Sequence, residues 1–189
     1  MRDTLIQVFL KKNSELNLSA LRDEKSVEIK HINDSLHIKE LWIIRPWMRV
    51  SDVWTGGWFP LLPLAMSYPE TQFVWIDSVR KKTVAVNAVI EQLWIKNAHV
   101  LWTRIEEYQW EQFDVITARA VAYSDKLLKW SYPLLKKGGV FLFMKQKIEE
   151  ERELLLSLCK KYKLSLQQEY EYQLFPEDIE RVIYVLKKN

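Results

Sequence analysis

Two short segments place polar residues where apolar runs end. The first is Val50-Ser51-Asp52-Val53-Trp54-Thr55-Gly56-Gly57-Trp58-Phe59-Pro60. It reads as a strand, a tight loop and the start of a helix. In open α/β sheets, ligands sit just beyond the carboxyl ends of the strands, at the point where strand order reverses. The second is Phe73-Val74-Trp75-Ile76-Asp77-Ser78, another strand that closes on an acid. A carboxylate about 20 residues after such a loop can accept both hydroxyl hydrogens of an adenosine ribose. Asp77 could instead cap the following helix; its pairing with the first loop favours the ribose. The loop lacks strict Gly-x-Gly-x-x-Gly spacing, which argues against a nicotinamide dehydrogenase.

The elements that would position these groups follow from periodicity. Leu5, Val8 and Phe9 recur at helical spacing within 3–13, and Val27, Ile29, Ile32, Leu36 and Ile38 within about 24–41, with polar breaks between. From Arg49 short apolar runs alternate with helical segments. Strands are expected at 49–53, 72–76, 98–101, 113–117 and 140–144, and helices at 61–67, 79–93, 124–135 and 148–162. Gly138-Gly139 should turn the chain into the fifth strand. Two late strands, 164–172 and 181–186, have no convincing helix between them and suggest an antiparallel hairpin at one sheet edge. Alternation of this kind indicates an α/β fold with a mostly parallel sheet covered on both faces. Residues 1–45 read as an N-terminal helical extension and 46–189 as the core of one domain.

Composition is that of a globular protein: 48% hydrophobic, 28% charged, net charge +3. The mild basicity is compatible with an anionic partner. No apolar run approaches the roughly 20 residues needed to span a bilayer, and Lys11, Lys12 and Glu15 interrupt any signal-peptide core. The single cysteine, Cys159, excludes an internal disulfide and a cysteine-based zinc site, and fits a reducing cytoplasm. No metal site is expected. Arg22, Arg104, Arg119, Lys145 and Lys147 come from strand ends and loops, so they could gather at one mouth and meet RNA phosphates.

Several segments resemble the bacterial 16S rRNA guanine-N7 methyltransferases, also called glucose-inhibited division protein B. Leu16-Asn17-Leu18-Ser19-Ala20-Leu21-Arg22-Asp23 is similar to the family's Asn-Leu-Thr-Ala-Ile-Arg-Asp, and Lys30-His31-Ile32-Asn33-Asp34-Ser35 to Arg-His-Ile-Leu-Asp-Ser. The loop from Asp52 to Pro60 is similar to Asp-Val-Gly-Thr-Gly-x-Gly-Phe-Pro. Thr117-Ala118-Arg119-Ala120-Val121-Ala122 matches a segment peculiar to that family, whereas Pro133-Leu134-Leu135-Lys136-Lys137-Gly138-Gly139 is common to many methyltransferases.

The resemblance implies a class I, Rossmann-like fold with a mostly parallel seven-stranded sheet and an antiparallel C-terminal hairpin. It implies S-adenosylmethionine as cofactor and small-subunit 16S rRNA as partner, in a cytoplasmic protein expected to act as a monomer away from membranes. Asp52 would anchor the loop, Trp54, Thr55, Gly56, Gly57, Trp58 and Phe59 would wrap the methionine part, Asp77 would hold the ribose, and Ile105 and Glu106 would flank the adenine. Arg119 would lie near cofactor and substrate, and Lys145 follows the fifth strand where the family also has lysine. Guanine N7 carries a free lone pair on its major-groove edge. It needs no base to deprotonate it, so no catalytic residue is assigned beyond Arg119 and Lys145 as positioning candidates. His31 joins the RNA-binding candidates because it lies in a family-like segment. The rival reading is a catalytically inactive RNA-binding or scaffold protein of the same fold; a third is a methyltransferase for a small molecule or protein.

Trp54 and Trp58 stand where that pattern has glycine, which the turn and the close approach of ligand require. An indole there should fill the methionine pocket, turn outward or force the loop aside, and so impair cofactor binding. Pro46-Trp47, Val74-Trp75-Ile76-Asp77 and Leu93-Trp94-Ile95 follow the same trend. The chain has 4 glycines and 9 tryptophans. Average usage, about 7%, would give roughly thirteen glycines in a chain this long. Exchanging every tryptophan for glycine would reach that count. One reading is a gene in which UGA encodes glycine, translated with UGA as tryptophan; the rival is a fold that has truly lost its site. Leu61, also at an expected glycine, is not explained by recoding.

Overall fold

The computed structural model describes residues 2–53, 58–119 and 124–189. Helix α1 (Arg2–Leu16) lays Leu5, Ile6, Val8 and Phe9 into the core. A second helical stretch covers 24–41, but not as one regular helix. Asp23 caps it, its Oδ1 accepting from Ser26 N at 2.8 Å. A turn of α-helix, α2 (Glu24–Val27), opens into a π-helical segment (Glu28–Asn33), then α3 (Asp34–Leu36), and tightens to 3-10 geometry (His37–Leu41). The widened segment carries His31 and immediately precedes Asp34, a buried carboxylate that accepts hydrogen bonds from three side chains. Sequence periodicity averages over such a change of pitch.

The core sheet has seven strands: β1 (Arg49–Val53), β2 (Gln72–Asp77), β3 (Ala98–Trp102), β4 (Phe113–Arg119), β5 (Leu135–Gln146), β6 (Leu164–Leu174) and β7 (Ile179–Lys188). Their order is β3-β2-β1-β4-β5-β7-β6. The first five run parallel, while β7 pairs antiparallel with both β5 and β6. The edge hairpin read from the sequence is therefore present, with its second strand inserted beside β5. Phe73 to Ile76 in β2 are all buried, as expected of a parallel strand covered on both faces.

Helices α4 (Leu61–Ser67), α5 (Arg80–Gln92), α6 (Ser124–Ser131) and α7 (Glu149–Tyr162) complete the alternation. Helix α5 buries Thr83, Ala85, Val86, Val89 and Ile90, the stripe its spacing predicts. The helix expected at 124–135 is shorter than its pattern suggested: α-geometry stops at Ser131, and a 3-10 turn (Tyr132–Leu134) containing Pro133 leads into β5. Strand β5 also begins earlier than 140, with an irregularity between the pairs Phe113–Leu135 and Val115–Val140. Gly138 there has φ +76°, and a Cβ on Gly139 would lie 2.9 Å from both Leu135 Cδ1 and the Lys136 carbonyl. Both positions require glycine. Among the described residues, no helix is long and apolar enough to cross a membrane.

Candidate functional site

Strand order reverses between β1 and β4, so their carboxyl ends mark the crevice where this architecture receives ligands. A cavity of about 370 Å³ opens on the carboxyl side of the sheet, beyond β2 and β3, lined by Asp77, Lys82, Thr103, Arg104, Ile105, Glu106 and Trp130. Its size suits a nucleoside. Asp77, Ile105 and Glu106 were expected at the adenosine. Thr103, Lys82 and Trp130 were not, because nothing in their spacing marks them as walls. Asp77 Oδ1 accepts from Val79 N at 2.7 Å. The helix cap itself falls to Val79, so Asp77 shapes the turn ahead of α5 rather than capping it. Burial raises its pKa, opposed by the Val79 N–H and by Lys82.

Asp52, the fourth residue of β1, is buried and receives a hydrogen bond at 3.1 Å from Thr117 Oγ1 on β4. This contact spans the reversal point. Trp54, Thr55, Gly56 and Gly57, and Ala120 to Ala122 of the family-like segment, lie outside the described residues. Trp58 is 1% exposed, and its indole packs against Phe9 of α1 at 5.2 Å. It does not turn outward, which corrects one placement expected for it, and it does not line the cavity beside Asp77; apolar contact with the N-terminal helix holds it in the core. Phe59 beside it is fully buried, stacked on His31 at 4.7 Å, with the Arg119 guanidinium 5.8 Å from its ring centre.

Three of the basic candidates are interior. His31 is mostly enclosed by Phe9 and Phe59, and its Nε2 lies 3.0 Å from Ser19 Oγ. Arg119 ends β4 with its side chain 11% exposed, donating to the Lys30 carbonyl at 3.0 Å and lying 3.5 Å from Asp34 Oδ2. Lys145 near the end of β5 is buried and pairs with Glu151 at 2.9 Å. The remaining three are exposed. Arg22 bonds Asn17 and the Ser19 carbonyl, Arg104 lies 3.8 Å from Glu106, and Lys147 bonds Glu171 at 2.7 Å. Of the six basic candidates, three are thus interior and three exposed.

The grouping that sequence reasoning missed centres on Asp34, which is 1% exposed. Its Oδ1 accepts from Tyr172 Oη at 2.6 Å and Arg181 Nε at 3.2 Å; its Oδ2 accepts from Arg181 Nη2 at 3.1 Å and faces Arg119. One carboxylate therefore ties the N-terminal helical stretch to β4, β6 and β7. Burial and the Asp34 charge push the Tyr172 phenol far above its usual range. His37 stacks on the Tyr172 ring at 4.0 Å.

His31 carries a stability prediction. Burial first, and the Arg119 charge second, lower its pKa from 6.5 to about 3. The unfolded chain then binds more protons than the folded one between those values, so folding weakens as pH falls below 6.5. From this group alone, moving from pH 7.5 to 5.5 costs about 1.4 kcal/mol. His37 and His99 are lowered by burial too and add in the same direction. Urea denaturation of the chain and of His31→Gln at both pH values checks this: the variant should lose much of the slope, and equal slopes would contradict it.

The fold, with a nucleoside-sized cavity and a carboxylate at the end of its second strand, defines a class I S-adenosylmethionine-dependent methyltransferase. Solved structures agree on the fold. A SAM-dependent methyltransferase from Aquifex aeolicus superposes with a TM-score of 0.67 at 17% identity, covering 93% of this chain and 97% of that one. A ribosomal protein L11 methylase from Lactobacillus delbrueckii subsp. bulgaricus gives 0.65 at 13%, covering 85% and 79%. The chain belongs to the family described as rRNA small subunit methyltransferase G (GidB), whose model matches residues 3–178. The Listeria monocytogenes protein named ribosomal RNA small subunit methyltransferase G is 32% identical over 182 residues, 93% of this chain and 76% of that protein. Its counterpart in Pelodictyon phaeoclathratiforme is 41% identical over 133 residues, 70% of this chain and 58% of that protein.

Proposed function

We propose that this chain transfers a methyl group from S-adenosylmethionine to N7 of a guanine in the 16S rRNA of the small ribosomal subunit, acting as a cytoplasmic monomer. The observation that carries this is the cavity beside Asp77 at the carboxyl ends of β2 and β3, in a chain of this family. Its walls fit the adenosine half of the cofactor. Asp77 offers a carboxylate to the ribose hydroxyls, and Ile105 and Glu106 flank the space for the adenine. Asp52, held by Thr117, anchors the loop that leads to the methionine half.

The cofactor, when bound, supplies a sulfonium methyl: the N7–C bond forms as the C–S bond breaks, the electron pair stays on sulfur, and the positive charge passes to the guanine. Guanine N7 already has its lone pair, so the chain need not remove a proton. Its contribution is orientation of the two reactants in line. The enclosed His31, held neutral at physiological pH, suits a packing role beside Phe59 and not that of a base. Arg119, fixed between Asp34 and the Lys30 carbonyl, positions the end of β4. Exposed Arg22, Arg104 and Lys147 are the groups available to RNA phosphates.

The test presents small subunits and naked 16S rRNA, each with methyl-labelled S-adenosylmethionine, to the chain as written and to a Trp54→Gly/Trp58→Gly variant. Cofactor binding is measured in parallel by calorimetry. Label at N7 of one guanine is expected, at least from the variant. Label on another atom would overturn the reading, as would cofactor binding without transfer to either RNA substrate. The second outcome would leave the scaffold alternative.

A further inference from the structure

The backbone identifies tryptophans that occupy glycine positions. Seven described non-glycine residues have φ in the left-handed region, and four of them are tryptophan: Trp42 (54°), Trp47 (67°), Trp58 (55°) and Trp94 (54°). Two of the others, Asn17 and Asp178, are types that tolerate that region; the last is Lys163. Only a few per cent of non-glycine residues adopt positive φ, and bulky ones least. Here it is half of the eight tryptophans the structure describes.

At three of them the local structure is one that glycine normally completes. At the end of α5, Ile95 N donates to the Ile90 carbonyl at 3.0 Å and Trp94 N to the Glu91 carbonyl at 3.1 Å. These are the two bonds of a Schellman cap, with Trp94 in the left-handed position that glycine favours. Trp42 likewise ends the 3-10 turn after His37, its N–H bonding the Lys39 carbonyl at 3.2 Å. Arg45-Pro46-Trp47-Met48 closes a turn through Met48 N and the Arg45 carbonyl at 3.4 Å. Proline followed by a residue of positive φ is the type II pattern, whose third position calls for glycine. Three of the indoles add little in return. Trp42, Trp47 and Trp94 are 79–82% exposed. The Nε1 atoms of Trp58 and of Trp75, deep in β2, are buried without a hydrogen-bond partner, which an indole N–H rarely accepts.

We infer that positions 42, 47, 58, 75 and 94 are glycine in the working protein, and that the chain as written records a glycine codon read as tryptophan. The inference stands apart from the methyl-transfer reading, since backbone angle and unpaired N–H groups carry it.

Two measurements test it on the full chain. Thermal unfolding compares the chain with a Trp42→Gly/Trp47→Gly/Trp94→Gly variant and with the matching triple alanine variant. No buried contact is lost at these exposed sites, so relief of the left-handed residues should raise the midpoint by about 2–4 °C per site. Alanine, which keeps the Cβ, should gain little. A glycine variant no more stable than the alanine one would overturn the backbone argument. Peptide mass spectrometry of the protein isolated from the organism that carries the gene then reads the residues directly. Glycine at all five positions is expected, and tryptophan at any of them would refute the assignment there and with it the codon reading.

Discussion

Asp34→Ala should destabilise the fold by about 3–5 kcal/mol, the loss typical when one partner of a buried ion pair is removed. The carboxylate is 2% exposed at its side chain and the two guanidinium groups facing it 11% each. Its removal would leave Arg119 and Arg181 close together, with only the field of Asp52 acting on Arg119 against their repulsion, and the Tyr172 hydroxyl without its acceptor. That loss is a large share of the 5–15 kcal/mol by which domains are stable. Asp34→Asn keeps one acceptor oxygen but leaves two cations beside a neutral amide, so it should fall only somewhat short of alanine. A double substitution, Asp34→Leu with Arg181→Leu, should recover part of the loss, because it removes desolvated charge from both sides. Urea denaturation at pH 7.5, where His31 is neutral in both folded and unfolded states, gives the comparison. A loss below about 1 kcal/mol for Asp34→Ala would mean that water reaches the pair and screens it as it would at a surface.

That grouping also shows where sequence reading stops. The parallel strands were legible because a strand buried on both faces leaves an uninterrupted apolar run, as Phe73 to Ile76 do. Asp77 was legible because a strand-terminal acid has a fixed place relative to the reversal of strand order. Asp34 sits in a segment whose family-like residues were plain, yet its partners lie 85 to 147 positions away and on three different strands. No local periodicity encodes a contact of that separation. The 24–41 stretch reads as helix from its apolar spacing, and the widening to π geometry between Glu28 and Asn33 leaves that spacing nearly unchanged. The tryptophans are an intermediate case. Their number against the glycines and their neighbours drew notice in the sequence, and the backbone angles then separate Trp47 and Trp94 from a residue such as Trp102. The indole of Trp102 has work in this fold, donating from Nε1 to the Ser78 carbonyl at 3.1 Å beneath the Arg80 guanidinium.

In a chain that binds the cofactor, with glycine placed at 54 and 58 if the written chain does not, Asp77→Ala should weaken S-adenosylmethionine binding by about two to four orders of magnitude. A hydrogen bond to a charged group contributes roughly 1.5–3 kcal/mol. Two ribose hydroxyls on one carboxylate supply about that much each, and every 1.4 kcal/mol is a factor of ten. Asp77→Asn should fall between, since the amide keeps one acceptor and presents a donor to the other hydroxyl. The pH dependence has a definite sign. Burial raises the Asp77 pKa, and only the carboxylate form accepts from both hydroxyls. Affinity should therefore hold above the raised pKa and decline as pH falls through it, while Asp77→Ala shows no such decline. Because Asp77 also shapes the turn before α5 through Val79, loss of affinity alone would not separate contact from positioning. A cofactor analogue lacking both ribose hydroxyls does separate them. If Asp77 holds the ribose, the analogue should bind the chain and the alanine variant almost equally, a coupling that only direct contact produces. A full Asp77→Ala penalty against that analogue would assign the residue to the turn and remove it from the binding site.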